Sequence, residues 1–273
     1  MARQATKTVQ AGAAGGPKAR RAKAPAREFQ PLEVAGVPIF VGTSGWAYAI
    51  WKPEFYPDDV ATKNFLKYYA TQLNAVEVNY TFRRMLSARA AESWAADTGP
   101  GFRFAVKMHQ QITHFKRLRN AEEPLRYFLA NLETIHKAGQ LGPVLVQLPP
   151  NLKADAGLLR DFLALLPRVV KFAFEFRHQS WFSEDVYDMM RQHNASLCVA
   201  ETEDVTTPEV LTAKFIYFRF RRPSYTAAEV EALAERVGRY TADGIETFAF
   251  FKHEEDPRSP LNAVKLLTDV ART

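Results

Sequence analysis

Two short runs decide the fold: Phe172-Ala-Phe-Glu-Phe-Arg177 and Ala75-Val-Glu-Val-Asn79. In an extended chain, successive side chains point to opposite faces. Phe172, Phe174 and Phe176 therefore share one face, while Glu175 and Arg177 lie on the other. In the second run Val76 and Val78 oppose Glu77 and Asn79. The apolar face runs the length of each strand, but the charge gathers only at its C-terminal end.

The same alternation recurs along the chain. Phe102–Lys107 sets Phe102, Phe104 and Val106 against Lys107, and the run from Phe215 sets Ile216, Phe218 and Phe220 against Arg219 and Arg221. Further strand-length apolar runs are Ile39–Thr43, Val144–Leu148, Ser196–Ala200 and Thr247–Phe251. Amphipathic stretches separate most of them: Lys63–Leu73, Ser87–Ala96, Pro124–Ala138, Ala156–Leu166, Glu184–His193, Ala227–Tyr240 and Pro260–Val270. Eight strands alternating with helices predict an α/β fold with a parallel sheet. Eight is also the number that closes a TIM (β/α)8-like barrel. The sixth unit is expected to be irregular, because the stretch from Glu201 to Ala213 leaves little room for a helix.

In a closed barrel one parity faces the helices and the other the lumen. The lumen parity places Glu77, Asn79, Lys107, Gln147, Glu175, Arg177, Arg219 and Arg221 at the C-terminal strand ends, joined by Lys252 or His253 from the last strand. Lumen charges are costly unless paired or solvated, and this end is where barrel enzymes build their sites. Two acids face four bases, and the surplus favours an anionic small-molecule ligand carrying phosphate or carboxylate. On this reading Glu77 or Glu175 moves a proton, its pKa raised by apolar walls. Lys107 stabilises negative charge or acts as a nucleophile, and Arg177, Arg219 and Arg221 hold the anion. The competing expectation is a self-satisfied salt-bridge network that only closes the barrel top.

Trp46, Tyr48, Trp51 and Trp181 are candidates for an aromatic rim, and His114 for a pocket hydrogen-bonder. Gly42 and Gly45 flank a Thr-Ser pair that could offer backbone N–H groups to a phosphate, although neither phosphate-loop motif is present. His109 and His114 lack metal-ligand spacing, and Glu201, Glu203, Asp204 and His253 add none. No metal and no cofactor is expected.

Of 273 residues, 47% are hydrophobic, enough for one large core. The single Cys198 excludes an internal disulfide framework and Cys-based zinc clusters. It sits in an apolar run and reads as an inert strand thiol. No apolar stretch is long enough for a membrane span, and no signal peptide is visible, so a cytoplasmic setting is expected. Residues 1–28 hold seven bases and one acid, which accounts for the whole net charge of +6 and leaves 29 of each sign elsewhere. Residues 1–30 are expected to form a disordered basic tail, a possible arm for nucleic acid, followed by a single barrel domain over 31–273. Nothing in the sequence marks a subunit surface, so the oligomeric state stays open.

Several motifs carry a family resemblance. Gly42-Thr-Ser-Gly-Trp46 leads through Tyr48 and Trp51 to Phe55-Tyr-Pro57; Val76-Glu-Val-Asn79 leads to Thr81-Phe82. Then come Phe104-Ala-Val-Lys107 with Ile112-Thr-His114, Leu141-Gly-Pro143, Gln147-Leu-Pro-Pro150, and Glu175-Phe-Arg177 with Ser180-Trp181. In this order they resemble the DUF72 (YecE-like) family over residues 37 to about 270. The resemblance implies a TIM barrel without an established activity, similar in shape to the xylose-isomerase and endonuclease IV barrels. It also implies shared polar positions at Trp46, Glu77, Asn79, Lys107, His114, Gln147, Glu175, Arg177, Trp181 and Arg219. Two departures add positive charge near the inferred pocket mouth: Arg83-Arg84-Met85 stand where the family has Tyr and then Pro, and Arg221-Arg222 where it has His-Gly. Three functions stay open: a barrel enzyme acting on an anionic small molecule, a nucleic-acid-binding or nucleic-acid-processing protein, and a non-catalytic metabolite sensor.

Overall fold

The structure is a computed structural model describing residues 32–34, 36–201, 206–252 and 255–272. The expected basic tail at 1–30 lies outside the described residues, as do Glu203, Asp204 and His253.

Among the described residues the nine strands are β1 (Leu32–Val34), β2 (Val37–Thr43), β3 (Ala75–Val78), β4 (Arg103–Lys107), β5 (Leu141–Gln147), β6 (Phe172–Glu175), β7 (Ser196–Ala200), β8 (Phe215–Phe220) and β9 (Glu246–Phe251). Their order is β1-β2-β9-β8-β7-β6-β5-β4-β3. Every neighbouring pair from β2 onward is parallel. Around these strands lie α1 (Phe65–Tyr69), α2 (Ala88–Asp97), α3 (Glu122–Ala130), α4 (Glu133–Lys137), α5 (Ala156–Ala164), α6 (Glu184–His193), α7 (Ala227–Ala242) and α8 (Arg258–Val270). The (β/α)8-like barrel expected from the alternation is therefore present.

Strand parity sorts the core into two compartments. Val76, Val78, Phe104, Phe172, Phe174 and Phe218 join the cluster packed under the helices. The opposite parity fills the lumen with Phe40, Ala75, Ala105, Leu145, Ala173, Cys198, Phe215, Tyr217, Phe248 and Phe250. Side-chain size is divided across the lumen. Alanines line β3, β4 and β6, and the aromatics of β2, β8 and β9 occupy the space they leave, with Phe40 stacked on Phe248 at 4.9 Å. This packing leaves the polar lumen positions for the upper end of the barrel.

The barrel closes between β2 and β3 through side chains rather than a regular ladder. Asn74 accepts from the Val41 N–H at 2.8 Å and donates to the Ile39 carbonyl at 2.7 Å. Tyr69 Oη accepts from the Thr43 N–H at 2.8 Å and donates to the Ala75 carbonyl at 3.0 Å. One parallel bridge, Ser44 to Glu77, completes the seam. At Gly42 the two strands leave no room for a side chain: a Cβ there would lie 1.9 Å from the Ala75 oxygen and 2.9 Å from Tyr69 Oη. Gly42→Ala is expected to destabilise the protein by about 3 kcal/mol or more, because backbone has to move. Urea denaturation followed by tryptophan fluorescence measures it.

Three details differ from or refine the sequence expectation. The single helix expected over Pro124–Ala138 divides into α3 and α4, where Asn131 turns its side-chain amide onto the Tyr127 carbonyl at 2.7 Å. The antiparallel strand β1, paired with β2, was not foreseen. The sixth unit is irregular as expected. Between β7 and β8 the described residues contain no helix, and Thr212 Oγ1 instead ties the Leu197 N–H and the Ala195 carbonyl at 2.8 and 2.7 Å.

Candidate functional site

The C-terminal strand ends hold two carboxylates, Glu77 at the end of β3 and Glu175 at the end of β6. Both are fully buried. Arg219, near the end of β8, is only 1% exposed and lies between them. Its Nη2 donates to Glu77 Oε1 at 2.8 Å and its Nη1 to Glu175 Oε2. Glu77 also accepts from Ser44 Oγ (2.7 Å), Asn79 Nδ2 (3.2 Å) and Tyr217 Oη (2.8 Å). Glu175 also accepts from Gln147 Nε2 (2.8 Å), Arg177 Nε (3.1 Å) and Arg221 Nη1 (3.2 Å). Each carboxylate thus receives four donors, close to its acceptor capacity.

This arrangement reverses the expected titration of both acids. Burial by itself raises a carboxyl pKa, but the Arg219 charge and the surrounding donors outweigh it at Glu77, which lies below its ordinary value. At Glu175 the combined pull of Arg219, Arg177 and Arg221 exceeds the burial effect and brings the pKa to about 2. Both acids are ionised near neutrality and lie beneath the pocket. The expectation of a raised pKa suited to proton transfer is corrected: three guanidiniums converge on carboxylates that the sequence reading had placed among apolar walls.

Above this floor is a cleft of about 380 Å³, within the range of small-molecule sites. Asn79, Tyr80, Phe82, Arg83, Arg84, Lys107, Gln147, Arg177, Arg219, Arg221 and Lys252 line it. Seven of these are cationic and none is acidic. Arg177 is tied to Glu175 only through Nε, and among the described residues its two terminal nitrogens make no hydrogen bond. Arg83 and Arg84 follow a short turn at Tyr80–Phe82 and are exposed.

Lys107 ends β4, in register with Leu145 of β5. Its Nζ lies 4.1 Å from the centroid of the Phe82 ring. Among the described residues it has no ion-pair partner, since both nearby carboxylates are saturated by others. Burial, followed by the Arg219 charge, lowers its pKa to about 8 against the partial opposition of Glu175 and Glu77. His114 lies in the single π-helical turn Gln111–Phe115, with Nδ1 2.9 Å from Thr113 Oγ1 and its ring edge-to-face with Phe82. Its pKa is lowered by burial and then by Lys107 and Arg177. His114 is a neighbour of the pocket wall rather than a lining residue.

The structure brings Asn79, Lys107, Gln147, Arg177, Arg219 and Arg221 to one cleft, with Glu77 and Glu175 beneath. It separates the aromatic candidates from it. Trp181 is fully buried, stacked on Phe176 at 4.7 Å, with its indole N–H given to the Leu152 carbonyl at 2.8 Å. Trp51 is equally buried against Phe55 and Tyr56. Trp46 packs edge-to-face on Trp94 at 5.0 Å, outside the cleft. The aromatic rim is therefore corrected to core and wall packing. The Gly42–Gly45 loop is also not a phosphate cradle. The N–H groups of Thr43, Ser44 and Gly45 are spent on Tyr69, Phe251 and Glu77. Arg219, expected to grip the ligand, spends both terminal nitrogens on the floor. Sequence reasoning passed over Tyr80, the Ser44 hydroxyl and Tyr217. The parity that singled out Arg219 also points Tyr217 inward, and its hydroxyl then meets Glu77 across the barrel.

No group of three His, Cys, Asp or Glu among the described residues is arranged to hold a metal ion. No helix among them is long and apolar enough to cross a membrane. Cys198 is buried in the lumen, with its thiol pushed up by that burial.

Comparison with known proteins agrees with this architecture. The family described as "Protein of unknown function DUF72" matches residues 40–273. The UPF0759 protein YunF of Bacillus subtilis is 29% identical over 157 residues, which is 55% of this chain and 54% of that protein. The UPF0759 protein YecE of Escherichia coli is 26% identical over 147 residues, 54% of this chain and 51% of that protein. The matched stretch thus spans about half the length of either relative. A crystal structure of a DUF72 family protein from Thermotoga maritima superposes with a TM-score of 0.71 at 26% identity, covering 85% of this chain and 97% of that one.

Proposed function

We propose, from the premise that the chain belongs to the DUF72 family, that it is a barrel enzyme acting on a phosphorylated or carboxylated small molecule at the C-terminal end of its strands. The observation that carries this reading is the wall of the cleft: seven cationic side chains and no acid, of which Arg177, Arg219 and Arg221 are paired with the two carboxylates beneath, leaving a cationic surplus. Such a wall repels itself until an anion enters, and its guanidiniums suit planar oxygen pairs. Arg177, with two uncommitted terminal nitrogens, is the principal anion contact; Arg221 and Arg84 flank it. Glu77, Glu175 and Arg219 fix the floor rather than exchange protons. Lys107 is the side chain left for chemistry, and turnover is what separates this reading from a sensor built on the same pocket.

Paired ligands test it. Glycerol 3-phosphate should bind, and glycerol should not, when both are titrated calorimetrically at constant ionic strength. Arg177→Gln should weaken the phosphate ester by about 10- to 100-fold, the worth of a charge-assisted hydrogen-bond pair. Equal binding of the charged and neutral members would overturn the reading.

One observation favours a second reading, single-stranded nucleic acid. Tyr80, half exposed, shares a turn at the cleft mouth with Arg83 and Arg84, and such sites combine stacking with basic groups. On that reading Arg84→Ala weakens oligonucleotide binding and lowers its salt slope by about one phosphate. An unchanged slope would leave the small-molecule reading alone.

A further inference from the structure

We infer that Lys107 forms an imine with the carbonyl group of its ligand, so that the substrates are aldehydes or ketones bearing a phosphate or carboxylate. This inference rests on the anion-pocket reading and narrows it to a class of compound.

The argument begins with which nucleophiles the cleft can offer. Ser44 Oγ is buried and donates to Glu77 at 2.7 Å. Tyr217 is buried and donates to the same carboxylate. Cys198 lies in the closed lumen below, among Ala173, Tyr217 and Phe250. Lys107 differs from all three. It lines the cleft, has no carboxylate partner among the described residues, and is held against the Phe82 ring at 4.1 Å. A lysine meant only to balance charge would be expected to pair with Glu77 or Glu175. Here the arginines take those acids, and the amine faces the cavity.

The surroundings also favour the neutral amine that such chemistry requires. Burial and the Arg219 charge bring the Lys107 pKa to about 8. At neutral pH the free-amine fraction is then about three hundredfold above that of an ordinary lysine. The step balances without a further reagent. The nitrogen lone pair attacks the carbonyl carbon, a C–N bond forms, and the carbonyl oxygen takes one amine proton to give a carbinolamine. The C–O bond then breaks, the oxygen leaves as water with the second amine proton, and C=N remains. The cationic wall fixes the anionic end of the ligand so that its carbonyl is presented to Nζ.

Borohydride trapping tests the inference on the full chain, with glyoxylate and glycolaldehyde phosphate as anionic aldehydes and glycolaldehyde as the neutral comparator. Peptide mapping locates the reduced adduct, and calorimetry with inorganic phosphate measures anion binding separately. The expected result is an adduct on Lys107 that forms about tenfold or more faster than on other lysines. It should prefer the anionic aldehydes and be suppressed by inorganic phosphate. Lys107→Arg should abolish that adduct while retaining phosphate binding. If phosphate binds but Lys107 is labelled no faster than other lysines, the imine is overturned and the anion pocket stands. If glycolaldehyde labels Lys107 as well as its phosphate does and inorganic phosphate does not bind, the anionic substrate class and the pocket reading both fall.

Discussion

Arg219→Met is expected to cost about 3–5 kcal/mol of folding stability at pH 7.5 and to invert the acid response of the protein. Arg219 is the shared counter-ion of two fully buried carboxylates, and removing one partner of a buried pair leaves the other uncompensated. Glu175 keeps Arg177 and Arg221. Glu77 keeps the uncharged donors Ser44, Asn79 and Tyr217 and only the weaker, non-hydrogen-bonded pull of Lys107 and Arg221, so burial then dominates and its pKa rises. The signs follow from proton linkage. In the wild type both carboxyls have folded values below their unfolded ones, so their stabilisation is present above about pH 4.5 and is lost as pH falls toward the folded values, about 2 for Glu175. In the variant, Glu77 binds protons more readily folded than unfolded. Stability should therefore rise as pH falls from 7.5 toward 5. Urea denaturation at both pH values measures this. Adding Glu77→Gln should recover part of the loss at pH 7.5. A variant as stable as the wild type, or one that weakens on acidification, would contradict the floor described here.

The second large effect concerns Lys107. Lys107→Met replaces a half-buried charge that lacks a carboxylate partner among the described residues with an apolar chain of similar length. It should stabilise the protein by about 1 kcal/mol at pH 7, a figure that discounts the lowered pKa for the solvent reaching the amine. A lysine with a depressed folded pKa destabilises the fold fully below that pKa and progressively less as pH rises through it. The advantage of the variant should shrink between pH 8 and 10.5, as the wild-type lysine sheds its proton within the folded state. Function should move the other way. Wild-type affinity for an anion should fall as pH rises through about 8, because one positive charge leaves the wall. In the variant this step should vanish and turnover should be lost. Gained stability with lost activity is the pattern of a residue kept for chemistry. A destabilised variant with its pH step intact would place the titrating group elsewhere.

Much of this was legible in the chain. Phe172, Phe174 and Phe176 against Glu175 fixed which side of β6 faces the helices, and the same parity found nearly all of the cleft's floor. The short stretch between β7 and β8 announced the irregular sixth unit. What could not be read depends on pairings far apart in sequence. The closing of β2 on β3 by Asn74 and Tyr69 is one case. Another is the fate of Trp181, whose indole finds the Leu152 carbonyl 29 residues away. The titration of Glu77 and Glu175 is a third. Alternation showed that both face inward, but only the fold shows that Arg219 reaches both at once. That contact turns two candidate proton carriers into fixed anions and leaves Lys107, at the pocket wall, without a carboxylate partner among the described residues.

The most direct test is a crystal structure of the protein grown with tungstate, a heavy analogue of phosphate that anomalous scattering locates without ambiguity. The account predicts an ion in the cleft within hydrogen-bond reach of the Arg177 terminal nitrogens, with Lys107 Nζ or Arg221 as a further contact. Tungstate bound elsewhere on the chain, with the cleft holding only water, would contradict it.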